Sequence, residues 1–186
     1  MKIMRRWGLI HKGQGGITLV ELLVAIVLVG MISLGITMGI SQVLVINARA
    51  SNHMIAVRQV QQAGDRVSKD VLQAQNVTAG ANSGFPLTLA WKDLQDKVHK
   101  VEYNLKETPS SSSSNTLKVL ERKHTIDGDS YTRVIARYLD PGDTWCEEVG
   151  RKLVFNVTAV VGNGPQRAVE SRVYEVEPRP TGGSKG

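Results

Sequence analysis

The apolar run that starts at Leu22 constrains this chain more than any other feature. From Leu22 to Ile32 no side chain is polar, and the run continues to Ile46 broken only by Ser33, Thr37, Ser41 and Gln42. Taken as a helix, residues 22–40 span about 28 Å, close to the roughly 30 Å hydrocarbon thickness of a bilayer. Immediately ahead stands Gly15-Gly16-Ile17-Thr18-Leu19-Val20-Glu21. Glu21 therefore sits at the mouth of a membrane-length helix. A charge at the centre of such a helix costs about 2.5–3.5 kcal/mol, and less near an end. A lone acid at this place needs a partner or a path to the interface.

The residues before the run are basic. Lys2, Arg5, Arg6 and Lys12 precede Gly16 and no acid does. The whole chain of 186 residues has 23 basic and 17 acidic side chains, a net charge of +6, of which the leader supplies four. No basic stripe interleaved with aromatics is present, so nucleic-acid binding has no support in the sequence. In a secretory signal peptide the apolar region precedes a small-residue cleavage site. Here the small residues Gly13, Gly15 and Gly16 come first, and a cut after Gly16 would leave the apolar helix on the mature protein. The basic end is expected to remain cytoplasmic by the positive-inside rule, which places the body from Asn47 across the membrane. Gly35 and Gly39 form a G-x-x-x-G pair that permits close helix approach.

Beyond Asn47 the composition turns polar while a helical stripe persists through Ala50, Met54, Val57, Gly64, Val67 and Val71. This spacing predicts that one helix runs from about Ile17 to about Gln75, apolar all round first and amphipathic second. Gly80, Gly84 and Pro86 supply the stop signals. From Phe85 the period changes to two: Phe85–Trp91, Val101/Tyr103/Leu105, Leu117/Val119, Thr132–Tyr138, Leu153–Val161 and Val169–Val176 read as about six strands. Asp127-Gly128-Asp129 and Asn163-Gly164-Pro165 read as turns. Ser110–Ser114 reads as a loop, and the Pro/Gly/Ser tail as disordered. The expected fold class is α+β, a long N-terminal helix packed on a small, mainly antiparallel sheet. The expected parts are a leader (1–16), a membrane or assembly half of the helix (17–46), its amphipathic half (47–78), an exported sheet domain (85–177) and a flexible tail (178–186).

Chemistry-bearing patterns are sparse. No two of His11, His53, His99 and His124 fall at metal-ligand spacing, and no nucleophile elbow, phosphate loop or C-x-x-C is present. Cys146 is the single cysteine and cannot form an intrachain disulfide. No enzyme function is expected and no cofactor is indicated. Asp140, Asp143, Glu147 and Glu148 surround Pro141-Gly142. They are either a solvated acidic turn or, since hard cations take several oxygens from a turn, a Ca²⁺ candidate without EF-hand spacing.

Gly16-Ile17-Thr18-Leu19-Val20-Glu21, followed by Leu22-Leu23-Val24-Ala25-Ile26, resembles the class III signal of type IV prepilins and pseudopilins. The resemblance covers about thirty residues and rests on a combination: a basic leader, Gly before the cut, Glu at the fifth mature position and an apolar helix. It implies cleavage after Gly16 by a prepilin peptidase and N-methylation of Ile17, where the family commonly has Phe. It also implies a structural subunit, a minor pilin or minor pseudopilin, of a type IV pilus-like or type II secretion filament. The implied partners are other pilin or pseudopilin subunits, an inner-membrane assembly platform and membrane lipid. The new amine at Ile17, with a reference pKa of about 7.7–8.0, would offer Glu21 its partner, within the chain or from a neighbour. The alternative is a single-span, membrane-anchored ligand-binding protein with Glu21 snorkelling to the interface.

Overall fold

The computed structural model describes residues 17–108 and 117–180. The leader with Gly16, the serine run and the last six residues lie outside them. The chain divides into two compact units, Met1–Leu44 and Val45–Gly186, taken here in turn.

One helix, α1, runs Leu19–Gln73. Thr18 caps it: its Oγ1 accepts the Glu21 N–H (3.3 Å) and its carbonyl the Leu22 N–H (3.1 Å). Thr18 and Glu21 thus occupy the capping-box positions, where a carboxylate also meets the positive end of the helix dipole. In the first unit every described side chain is exposed, the large apolar ones included. Its hydroxyls turn back on the helix: Ser33 Oγ donates to the Val29 carbonyl (2.8 Å), Thr37 Oγ1 to Ser33 (2.9 Å) and Ser41 Oγ to Thr37 (3.0 Å). All three interrupting hydroxyls are thereby satisfied without water, as a helix in hydrocarbon requires.

The second unit contains the rest of α1 and eight strands: β1 Asn76–Gly80, β2 Gly84–Lys92, β3 Val98–Glu107, β4 Lys118–Ile126, β5 Asp129–Leu139, β6 Trp145–Val149, β7 Lys152–Val161 and β8 Ala168–Val176. All pairs are antiparallel, in the order β1-β2-β3-β4-β5-β7-β6, with β8 also on β7. The sheet curls until β6 returns to the β1–β2 turn, where the Cys146 N–H donates to the Ser83 carbonyl (3.0 Å). Asp127 and Gly128 both take positive φ (48° and 101°) between the paired ends Ile126 and Asp129, so this hairpin has the expected two-residue turn. The Asn163-Gly164-Pro165 turn contains a 3₁₀ turn, Gly164–Gln166.

The α+β expectation holds. Two short strands escape the reading that gave six. β1 (Asn-Val-Thr-Ala-Gly) has one sizeable apolar residue, and two of the five residues of β6 are acidic. The helix also ends at Gln73, and residues 76–78, expected in its amphipathic half, begin β1. Its buried face is Ala56, Val60, Ala63, Gly64, Val67, Asp70 and Val71. Gly64, Val67 and Val71 were expected there. Ala50 and Met54 were too, but both are exposed. The core joins this face to Leu87, Leu89, Val101, Tyr103, Leu120, Leu139, Leu153, Phe155 and Val157. Each such large side chain contributes about 1.5–3 kcal/mol when taken out of water.

Candidate functional site

Ile17 and Glu21 are both exposed, one just before α1 and the other in its first turn. Among the described residues Glu21 forms no ion pair. Behind it Leu23, Ile32 and Ile40 expose 58%, 62% and 57% of their surface. Such an apolar surface on one chain requires lipid or other helices to cover it. α1 is long and apolar enough to cross a membrane, and it is the one such helix among the described residues. A Cβ added at Gly30, Gly35 or Gly39 would meet nothing within 4 Å, so nothing within the chain requires glycine at these places.

Residues 11–37 match the family model described as the prokaryotic N-terminal methylation motif. This is a class III, prepilin-type signal. No curated protein and no solved structure matches the chain. The prepilin-type motif contains Gly16, Ile17, Glu21 and Gly35, and leaves Gly39 outside. It goes with the pilin-like layout of a long helix on a curled sheet, and with membrane anchoring. It points to a structural subunit rather than an enzyme.

Away from the prepilin-type motif, the acidic residues around Pro141 are dispersed. Asp140 Oδ1 accepts the Gly142 N–H (2.9 Å), a local turn bond. The Asp143 carbonyl accepts from Asn156 Nδ2 (2.7 Å) and Thr158 Oγ1 (3.2 Å). Glu147 and Glu148 belong to β6, and Glu148 Oε1 accepts the Ala79 N–H (2.7 Å), tying β6 to β1. No group of three or more potential ligands that could hold a metal ion occurs among the described residues.

Two polar clusters were not foreseen. In the first, Asp70 on the buried face of α1 meets β3 and β4. Arg122 Nε donates to Asp70 Oδ2 (2.6 Å), Arg122 Nη2 to Oδ1 (3.2 Å), and Tyr103 Oη to Oδ2 (2.5 Å), while Arg66 Nη2 lies 3.5 Å from Oδ1. Burial opposes the Arg122 charge, but the hydrogen bonds and charge of Asp70 outweigh it and hold its pKa above the ordinary value. Burial, then the Asp70 charge, pushes the Tyr103 phenol up.

The second cluster lies where the same sheet face runs past the helix end. Trp91 on β2 stacks on His99 of β3 (centroids 5.2 Å apart, 11°) and on His124 of β4 (5.8 Å, 24°). His99 Nδ1 is 3.1 Å from His124 Nε2, and His99 Nε2 is 3.3 Å from Asp93 Oδ2. The two histidines are 25 residues apart in sequence, and the β3–β4 pairing brings them together, which spacing alone could not show. With Asp93 ionised and both rings neutral, His99 must carry its proton on Nε2. Its Nδ1 then accepts from His124 Nε2.

Proposed function

We propose that this chain is a non-enzymatic structural subunit, a minor pilin or minor pseudopilin, of a type IV pilus-like or type II secretion filament. The observation that carries the reading is the prepilin-type motif at residues 11–37 opening a helix whose apolar half is exposed throughout. In this reading the basic leader stays cytoplasmic and the single span delivers the C-terminal domain to the other side of the membrane. A prepilin peptidase cuts after Gly16, and Ile17 is N-methylated.

The cut creates the cation that Glu21 lacks. An unpaired charge is costly in low dielectric, and pairing with an amine of opposite sign offsets that cost. If the amine belongs to a neighbouring subunit, the pair sets the axial register between helices. The apolar halves then bundle, with Gly35 and Gly39 allowing close approach, and the sheet domains lie outside. The partners are the peptidase, other pilin or pseudopilin subunits, an inner-membrane assembly platform and lipid. The single cysteine supports a minor rather than a major subunit, because a C-terminal disulfide loop cannot form.

Determining the N-terminus of the mature protein by mass spectrometry tests this. A chain beginning with methylated Ile17 is expected, and Gly16→Ala should accumulate the uncut form. An intact Met1 terminus on the mature protein would replace the proposal with a single-span anchored binding protein. Glu21→Ala should be cut normally yet be missing from purified filaments; normal incorporation would remove the register role.

A further inference from the structure

Arg122 and Arg133 are direct cross-strand partners on β4 and β5. Like charges placed so oppose pairing of the strands. Arg66 arrives beside them from α1, since it and Arg122 share Asp70 Oδ1. Asp70 offsets only part of this charge. Arg133 is exposed and forms no ion pair among the described residues.

Arg66, Arg122 and Arg133, with Gln62, Val134 and Ile135, line one open cleft of about 370 Å³, and no acidic residue lines it among the described residues. Arg122 is held rigidly there. Its side chain is only 10% exposed, and its Nε and Nη2 are spent on Asp70, which leaves Nη1 uncommitted to that pair.

We propose that this cleft binds a compact tetrahedral oxyanion, a phosphate group. A carboxylate is satisfied by a single guanidinium fork. Donors arriving from three separate elements instead suit an anion with acceptor oxygens on several sides. Gln62 adds a neutral amide donor at the rim. The bound anion relieves the Arg122–Arg133 repulsion that Asp70 leaves in place. The positive field is felt next door. His124 lines the adjoining cleft with Arg66 and Arg122, and after burial the Arg122 charge is what lowers its pKa most.

The test uses the full chain in a non-ionic detergent near neutral pH. Sodium phosphate is titrated at constant ionic strength, and thermal unfolding is followed by near-ultraviolet circular dichroism. A saturable rise in midpoint is expected with phosphate, without one for acetate or chloride. Arg133→Gln, which removes an exposed side chain that forms no ion pair among the described residues, should weaken the response roughly tenfold, the effect of losing one charge-assisted hydrogen bond. Lys123→Gln, one position from Arg122 and therefore on the opposite sheet face, should leave it intact. An equal rise with acetate or chloride, or a full phosphate response in Arg133→Gln, would overturn the proposal. Glycerol 3-phosphate in a parallel titration identifies the source. Tighter binding than inorganic phosphate assigns an esterified headgroup; equal or weaker binding assigns free phosphate.

Discussion

Arg122 meets Asp70 side-on, with Nε 2.6 Å from Oδ2 and Nη2 3.2 Å from Oδ1. One partner is on the helix and the other on β4, so the contact locks the rotation of α1 over the sheet. Tyr103 Oη donates to the same carboxylate, and no buried side-chain nitrogen or oxygen among the described residues lacks a partner. A buried pair adds little net stability compared with apolar packing, but removing one member strands the other. Arg122→Leu should therefore cost about 3–5 kcal/mol, and the double replacement Asp70→Leu with Arg122→Leu should cost less than either single change. Denaturant unfolding of the four proteins measures both. Additive losses would show that the two side chains act separately.

At Gly64 the Tyr174 ring of β8 lies directly against the helix backbone. A Cβ there would lie 2.0 Å from Tyr174 Cζ, and the Tyr174 hydroxyl points at the Val60 carbonyl (3.4 Å). Gly64→Ala gains about 1 kcal/mol of helix propensity. Against this it must push an aromatic ring out of the interface, which costs typically 1–3 kcal/mol for overpacking. Net destabilisation is expected, and Tyr174→Ala in the same chain should convert Gly64→Ala from harmful to neutral or favourable. If Gly64→Ala alone stabilises the protein, the ring moves aside freely and the close approach has no energetic weight.

Periodicity made the fold class legible, and it failed where the cause was tertiary. Val67 and Val71 keep their place in the stripe because the sheet covers them, but Met54, joined to the same stripe through Val57, stays 69% exposed. Asp70 has the reverse history. An acid reads as a solvent-facing position, yet two of its three partners, Arg122 and Tyr103, lie 52 and 33 residues away, and only Arg66 is at helical spacing. The N-terminal motif was legible because its pattern is local: Gly16, Glu21 and the apolar run are read from neighbouring residues, and residues 11–37 match the methylation-motif model. Trp91, His99 and His124 meet through strand register, and no feature of their spacing announces it.

Cys146 is buried against the β1–β2 turn, its thiol donating to the Gly84 carbonyl at 3.0 Å. Burial, and then the Glu148 charge, push the thiol up to about 12. At pH 8 roughly one molecule in ten thousand would then carry the reactive thiolate. Alkylation of the folded protein should be negligible over the time in which the unfolded chain is fully modified, and Glu148→Gln should change that little, since burial is the larger cause. Rapid labelling without denaturant would show that β6 detaches from the turn.

His124 should make the C-terminal domain sensitive to mild acid. Its neighbours are His99 and Asp93 on the β3 side, Trp91 on β2, Arg122 on its own strand, and Arg66 and Asp70 from α1. Burial, then the charges of Arg122 and His99, hold it below its ordinary 6.5. Unfolding releases it to titrate near that value, so below it the unfolded chain binds the proton first. The contribution to stability is fully present above pH 6.5 and is lost progressively as the pH falls toward the folded value. Denaturation midpoints taken from about pH 7.5 down to about pH 5.5 should fall, and His124→Gln should flatten that fall while leaving the upper end nearly unchanged. An identical slope in the variant would place the acid sensitivity elsewhere in the domain.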